Sequence, residues 1–598
     1  MRTNQIIKKL EEKEVIFENE NMEYGIDDDI VADDGKRWKW KSDISMELPI
    51  ATWCEQFDDV GDSAWIAVFG LGEIGYLLEL TKRHEKNIIL VYEPDEKNIV
   101  KQLQNTDMTE LLSKENIIWV AGKEREKKLC KIIDENIDYR NGMRIEEGKI
   151  PNYSKAYPKE YAFFKEQIRL ARVYMSVSRN TRIGMEEVRG KSFLYNINDL
   201  PEQSSVNKLI KAFKNVDVTE YPAVIIAAGP SLDHNIMDLV PYQDKVFIVC
   251  LDTAIKTAFK WGINPDLMVC VDPVKQQKLF ENKIGQNTPL VTSLYGNYKV
   301  NQIHNARRFY CSDNEPFEKE LYNRFNCNIG VLASGGSVAN TAFSLLIELG
   351  FKKIILIGQD LAYPNKRLHT EEAHMEMEME IDVSDNNYFY VEGVDGKPVL
   401  TEYNMFLYNK WFEEQAHKYL DVEIIDATEG GALIKGTKIQ KLKEALENNC
   451  NKKKDFRNII NNAEELLDSI NKKIEMKDLI LETINNIPEV INELKNITKT
   501  YDKLDKLNRA GKQNTNAFKK CLTEITVFNN KMDNSLEIML MQLFANKGDY
   551  QVTDSLQKKT TSQYEEIKLM VKVGRELVET YINAGNKLIK SWNEVKFV

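Results

Sequence analysis

Scarcity is the first informative feature of this sequence. Its eight cysteines (Cys54, Cys130, Cys250, Cys270, Cys311, Cys327, Cys450 and Cys521) are scattered and none forms a Cys-x-x-Cys pair, so neither a zinc knuckle nor a thioredoxin-like centre is signalled. Cys250 and Cys270 stand in apolar runs and read as reduced core residues of a cytoplasmic protein. No apolar run is long enough to span a bilayer; even "IMLMQLFA", Ile538 to Ala545, is too short. The opening residues "MRTNQIIKKLEEKEVIFENENMEYG" are charged throughout and lack an apolar h-region, which sets the expectation of a chain that stays in the cytoplasm. Basic residues do not predominate: 81 Lys and Arg stand against 93 Asp and Glu, a formal net charge of -12. That balance argues against a nucleic-acid backbone as the main partner. Of the six histidines only His369 and His374 follow an expected ligand-side strand end. Their five-residue offset does not put both on one helix face, so they do not read as a zinc site.

With 598 residues the chain exceeds one core. Residues 1–150 read as a Rossmann-like N-terminal domain. The run Ala64–Phe69 leads into Gly70-x-Gly72-x-x-Gly75, and a second strand, "NIILVYEPD", ends at Glu93, where a ribose-binding acid would stand. The same glycines also fit a tight turn with close packing and no ligand, and this is the preferred reading. Residues 151–199 read as an amphipathic helical connector rather than a nucleic-acid surface. Residues 200–436 alternate strands and helices, with strands expected at 223–228, 246–252, 267–273, 289–293, 307–311, 354–360 and 422–428. These are short apolar runs ending in polar or acidic residues, the mark of a doubly wound parallel sheet with ligands outside its carboxyl ends. Residues 437–598 read as a C-terminal α-helical bundle with breaks near Pro488, Gly511 and Gly548. The fold class is α/β.

The chemistry belongs on residues just after the apolar runs. They are Gly229, Pro230 and Ser231; Asp252; Asp272; the turn Ser334, Gly335, Gly336 and Ser337; Gln359 and Asp360; and Thr428, Glu429 and Gly430. Each element alone is ordinary turn chemistry. Together, two glycine turns at one sheet edge suit a phosphate held by backbone N–H groups, and the neighbouring acids suit ribose hydroxyls or a divalent metal. His369 is the candidate general base, because histidine titrates near neutrality.

The motifs "AAGPSLD", "NPDLMVCVDP", "SGGSVANTAF", "LIGQDLAYP…LHT" and "ATEGGALIKGT" occur in that order. They resemble the central domain of the motility-associated factor (Maf) flagellin glycosyltransferases, itself similar to bacterial sialyltransferases. The resemblance extends to the flanking domains. It implies a cytoplasmic transferase that moves a nonulosonic acid (pseudaminic, legionaminic or related) from a CMP-activated donor to Ser or Thr of flagellin. The transfer would invert the anomeric centre, require no cofactor and serve flagellar assembly and motility. It further implies that Gly229–Ser231 line the donor phosphate and cytidine and that Ser334–Ser337 lie near cytosine and ribose. Tyr363 and His369 would stabilise the phosphate and act as base. Asp252 and Asp272 depart from the polar amides that sialyltransferases use at those strand ends. Thr428–Gly431 match a family motif with no derived role. Two rival readings stay open: a pterin diphosphokinase-like transferase using ATP, and a non-catalytic flagellin-binding chaperone.

Overall fold

The computed structural model describes residues 29–31, 37–39 and 47–595, apart from 62–63, 106–107, 138–143, 202, 276–279, 281–282, 328, 374–387, 464–466, 556–559 and 561. The chain divides into two compact units. The first comprises Met1–Gly184, Ile497–Ile525 and Asn546–Thr580; the second comprises Met185–Asn496, Thr526–Ala545 and Tyr581–Val598. Each unit thus takes segments of the C-terminal helices.

A small antiparallel pair, β1 (Asp29–Val31) and β2 (Arg37–Lys39), precedes the first unit's main sheet. That sheet contains β3 (Trp65–Phe69), β4 (Ile88–Tyr92), β5 (Ile117–Val120) and β6 (Ile145–Lys149), all parallel, in the order β5-β4-β3-β6. The glycine-rich turn follows β3 as expected, and Glu93 follows β4. The crevice between β3 and β6, where a nucleotide would enter, is filled by the protein itself. A Cβ on Gly70 (φ +96°) would lie 2.4 Å from the Tyr153 ring, and one on Gly72 would lie 2.6 Å from Ile150. The Tyr153 hydroxyl accepts the Gly72 N–H at 3.0 Å and donates to Glu93 Oε2 at 3.1 Å. Glu93 also accepts the backbone N–H groups of Leu71 (2.8 Å) and Asp95 (2.9 Å). The acid at the ribose position is therefore a fully buried loop clamp, and the structure agrees with the packing reading of these glycines.

Burial pushes the Glu93 carboxyl up to about 8, although the backbone donors of Asp95 and Leu71 pull it back. A carboxyl raised above its unfolded value leaves the native state holding the extra proton. Stability therefore falls as pH rises from about 4.5 to about 8. Hydrogen-exchange protection of residues 70–76, corrected for intrinsic rates, is expected to be greater at pH 6 than at pH 8, and Glu93→Gln to remove that difference. An equal pH dependence in Glu93→Gln would contradict this account.

The second unit is built on a nine-stranded parallel sheet. Its strands are β7 (Ser204–Ser205), β8 (Pro222–Ile226), β9 (Phe247–Leu251), β10 (Leu267–Val269), β11 (Leu290–Ser293), β12 (Arg308–Cys311), β13 (Lys353–Ile357), β16 (Glu423–Asp426) and β17 (Lys438–Ile439). A separate antiparallel hairpin, β14 (Tyr388–Glu392) and β15 (Pro398–Glu402), precedes β16. Alternate residues serve opposite faces: Ala223, Ile225, Phe247 and Val249 join one core, and Val224, Ile226, Ile248 and Cys250 the other. Both faces are buried, which is why these strands read as unbroken apolar runs. All seven expected strands of residues 200–436 are present; the hairpin and the two short strands β7 and β17 were not anticipated. Cys250 and Cys270 are buried free thiols.

The connector holds a short helix, Tyr153–Ala156, and one long helix, Pro158–Asn196. Of the breaks expected farther along the chain, the one at Pro488 is absent, since the helix Leu467–Arg509 runs through it; near Gly548 a turn at Ala545 separates Gln542–Phe544 from the helix Asn546–Ser555. A proline removes one helical hydrogen bond, but the buried stripe Ile480, Ile484, Ile487, Ile491 and Leu494 carries the helix across it. The break at Gly511 (φ +66°) is present. No helix among the described residues is long and apolar enough to cross a membrane.

Candidate active site

The order of the large sheet is β17-β16-β13-β8-β9-β10-β11-β12-β7. The chain leaves β8 on one side through β9 to β12 and returns on the other at β13. This reversal opens a crevice between the carboxyl ends of β8 and β13, the place where doubly wound sheets take ligands. The loops Gly229–Ser231 and Gly358–Asp360 leave these two ends.

The two loops are stitched together. The Gly229 N–H donates to the Gly358 carbonyl at 2.8 Å. Ser231 donates to Asp360 Oδ2 through its hydroxyl (2.7 Å) and its N–H (3.4 Å). A Cβ on Gly229 would lie 1.9 Å from Asp360 Oδ2, so only glycine permits this approach. The next two N–H groups, of Leu232 and Asp233, turn back to the carbonyls of Gly229 and Pro230. The loop's donors are thus spent inside the protein. Its glycine serves loop-to-loop contact, a different use from the phosphate cradle expected of Gly229–Ser231.

Thr428–Gly431, after β16, closes over the same point. Gly430 sits with its Cβ position 3.2 Å from the Ser231 Cβ, and Ala432 N–H donates to the Asp360 carbonyl at 2.8 Å. Glu429 accepts the Asn235 side-chain amide (3.2 Å) and the Leu442 N–H (3.1 Å), which starts the helix Leu442–Asn449. Thr428 is fully buried, and its N–H donates to Asp426 Oδ1 at 3.1 Å. These residues bind the crevice's own walls. Asp360 Oδ1, Asp426 Oδ2 and Gln359 Oε1 are left buried with no hydrogen-bond partner among the described residues. Burial pushes Asp360 and Asp426 up to about 6. The Ser231 hydrogen bonds pull Asp360 back, and the Thr428 bonds do the same for Asp426.

On the other side of β8 lie Asp252, after β9, and Asp272, after β10. Lys275 joins them: its Nζ is 3.2 Å from Asp252 Oδ1 and 3.8 Å from Asp272 Oδ2, and donates to Thr253 Oγ1 at 2.8 Å. Burial raises the Asp272 pKa against the pull of Lys275, and the two carboxylates keep Lys275 charged despite its own burial. Among the described residues no group of three or more His, Cys, Asp or Glu converges, and Asp252 and Asp272 share Lys275 while Asp360 is bonded to Ser231.

The second glycine turn builds the start of the helix Val338–Leu349. Ser337 accepts the Ala339 N–H at 3.1 Å, and Asn340 Oδ1 accepts the Ser337 N–H at 3.2 Å, a reciprocal capping box. Gly335 lies under the Trp411 ring, and Ser334 and Gly336 are exposed. The helix packs on β8, β9 and β10 and runs back into β13, so its N-terminus lies at the carboxyl edge of the sheet.

Tyr363 is buried beneath the hairpin. Its N–H donates to Leu400 O at 2.8 Å, and its ring meets Tyr388 edge-on at 5.8 Å. Burial and the neighbouring Glu402 and Tyr388 raise its hydroxyl pKa. The hydroxyl therefore faces a carboxylate, a poor setting for the expected phosphate contact. His369 is half-buried on a segment fixed to the β8 loop. Thr370 N–H donates to Ala228 O at 3.0 Å, Thr370 Oγ1 bonds Thr257 Oγ1 at 2.8 Å, and Glu371 N–H donates to Asp233 Oδ2 at 3.0 Å. His374 lies outside the described residues. A cavity of about 180 Å³ is lined by Leu361, Thr401, Phe406, Asn409, Lys410 and Glu413, among others. The sequence reading missed Lys275, Asn235, Thr370 and the role of Asp426. Only Asp426 carried a signal, as an acid ending an apolar run.

Geometry and topology together define a doubly wound α/β unit with a polar crevice at its strand reversal, accompanied by a Rossmann-like unit. The same architecture occurs in a solved structure, the MAf glycosyltransferase from Magnetospirillum magneticum AMB-1. It is 14% identical, with a TM-score of 0.52, over 100% of this chain and 96% of that one. The architecture expected from the motif resemblance is thus met. Residues 191–366 match the family model described as 6-hydroxymethylpterin diphosphokinase MptE-like. No curated protein matches the chain.

Proposed function

We propose that this chain is an inverting glycosyltransferase that moves a nonulosonic acid from a CMP-activated donor to Ser or Thr of flagellin in the cytoplasm. The observation that carries this reading is the whole-chain structural likeness to a glycosyltransferase. Support comes from the crevice at the strand reversal, with its buried acceptor atoms on Asp360, Asp426 and Gln359. The donor phosphate goes to the exposed Ser334–Ser337 turn, drawn by the positive end of a helix long enough to present one; the Gly336, Ser337 and Ala339 N–H groups, held by Ser334, Asn340 and Ser337, would have to exchange those side-chain acceptors for the phosphate. The Gly229–Ser231 loop holds Asp360 in place. Departure of CMP leaves positive character on the sugar and negative charge on the phosphate, which the helix end stabilises. His369 takes the proton of the attacking hydroxyl, and attack on the face opposite the leaving group inverts the anomeric centre. Tyr363 is assigned a positioning role through Glu402.

The family-model match favours a second reading, transfer of diphosphate from ATP to a pterin-like hydroxyl. Calorimetric titration separates the two: CMP is expected to bind and ATP with magnesium to bind more weakly. A clear preference for ATP with magnesium would overturn the proposal. The intact mass of flagellin from a deletion strain tests the acceptor. Loss of a nonulosonate-sized increment is expected, and loss of flagellin with no mass change would indicate a chaperone.

A further inference from the structure

Two strand-end carboxylates beside a threonine hydroxyl form a hard oxygen set of the kind a divalent cation takes. Nucleotide-dependent phosphoryl transfer, the activity in the name of the matching family model, ordinarily uses such a cation. In this chain the position is filled. Lys275 Nζ lies within 3.2 Å of Asp252 and 2.8 Å of Thr253 Oγ1, and 3.8 Å from Asp272. Oxygen ligands around Mg²⁺ stand at about 2.0–2.1 Å, so the ammonium and the ion cannot share the space between these acids.

The lysine is placed by its surroundings. Asn297 Nδ2 donates to Lys275 O at 2.5 Å, Asn297 N–H donates to Asp272 O at 3.3 Å, and Val274 N–H donates to Asp272 Oδ1 at 2.9 Å. Two carboxylates and one ammonium sum to a formal charge of −1, which disfavours a phosphate at this end of the edge. Asp252 is 1% exposed, and its Oδ2 has no hydrogen-bond partner among the described residues. Among the described residues this acceptor is thus left without a donor, and it suits an uncharged O–H or N–H of a ligand.

We propose that the Lys275 ammonium is a built-in replacement for a divalent cation at the Asp252–Asp272 pair. It leaves Asp252 Oδ2 to accept a hydroxyl or amino group of the substrate, such as a ribose hydroxyl. The inference rests on these side chains and deepens the proposed function only in naming which part of the donor they meet.

The test is Mn²⁺ binding followed by electron paramagnetic resonance, with no nucleotide present, so its outcome is independent of the donor's identity. The full-length wild-type chain is expected to show no site. Lys275→Ala is expected to gain one Mn²⁺ per chain, about tenfold or more tighter than wild type, and Lys275→Ala with Asp252→Asn to lose it. Lys275→Gln, which keeps the side-chain bulk, is expected to gain the site more weakly. Mn²⁺ should raise the unfolding temperature of the variants that bind it and leave wild type unmoved. A wild-type site abolished by Asp252→Asn, or folded Lys275→Ala and Lys275→Gln chains that gain no Mn²⁺, would overturn the proposal.

Discussion

His369→Ala is expected to slow sugar transfer by about 10²–10⁴-fold, the usual contribution of a positioned general base, with little change in CMP affinity. The expectation follows from placement. Thr370, the next residue, is hydrogen-bonded to Ala228 and Thr257, so the imidazole is carried on a segment tied to the end of β8. The loop leaving β8 is in turn tied to Asp360 through Ser231. Removing the ring leaves these ties intact, so donor binding should persist while proton removal fails. Single-turnover transfer and CMP calorimetry on the same preparation separate the two effects. Equal losses of rate and affinity would mean that His369 acts through the binding site, and unchanged transfer would remove it from the mechanism.

Gly431→Ala is expected to destabilise the second unit by roughly 3 kcal/mol, the sum of a left-handed strain and a backbone clash. Gly431 has φ +79°, and a Cβ there would lie 2.2 Å from the Asp360 carbonyl oxygen and 2.5 Å from the Asp360 Cα. Neither neighbour is the flexible end of a side chain. Relief must come from moving Asp360, the residue that holds Ser231, so donor affinity should fall together with stability. Gly396→Ala is the control for strain alone, because it shares a positive φ (+76°) and has open space around its Cβ position. Its cost should be about 1 kcal/mol. Equal unfolding midpoints for the two variants would show that the contact with Asp360 carries no weight.

The sheet of the second unit was legible because its strands are buried on both faces, and such strands write themselves as short apolar runs with polar ends. The same signal marked Asp252, Asp272 and Asp360 as residues on one edge. The hairpin β14–β15 was not legible: its first strand, "YFYVE", is partly exposed and lies outside the large sheet, so it carries no buried run. Pro488 misled for a different reason. Local propensity counts the lost hydrogen bond, whereas the buried stripe around it offsets that loss only in the folded chain.

The partners of the site residues were a separate matter. "AAGPSLD" announces a glycine turn after a strand, but not that its donors are consumed by Gly358 and Asp360. "TEGGAL" announces flexibility, but not that Gly430 and Gly431 are needed because Ser231 and Asp360 press against them. Lys275 looks like any surface lysine until β9 and β10 bring two acids to it. Gly70–Gly75 matched a nucleotide fingerprint more closely than any later turn, yet its crevice holds Tyr153, more than seventy residues on. Local pattern therefore determined the elements of this protein and the edge of the sheet on which chemistry could stand, because periodicity and turn residues act over a few neighbours. Which donors stay open, which acids are paired and which crevice is filled were decided by the tertiary structure alone, because each depends on contacts between residues far apart in the chain.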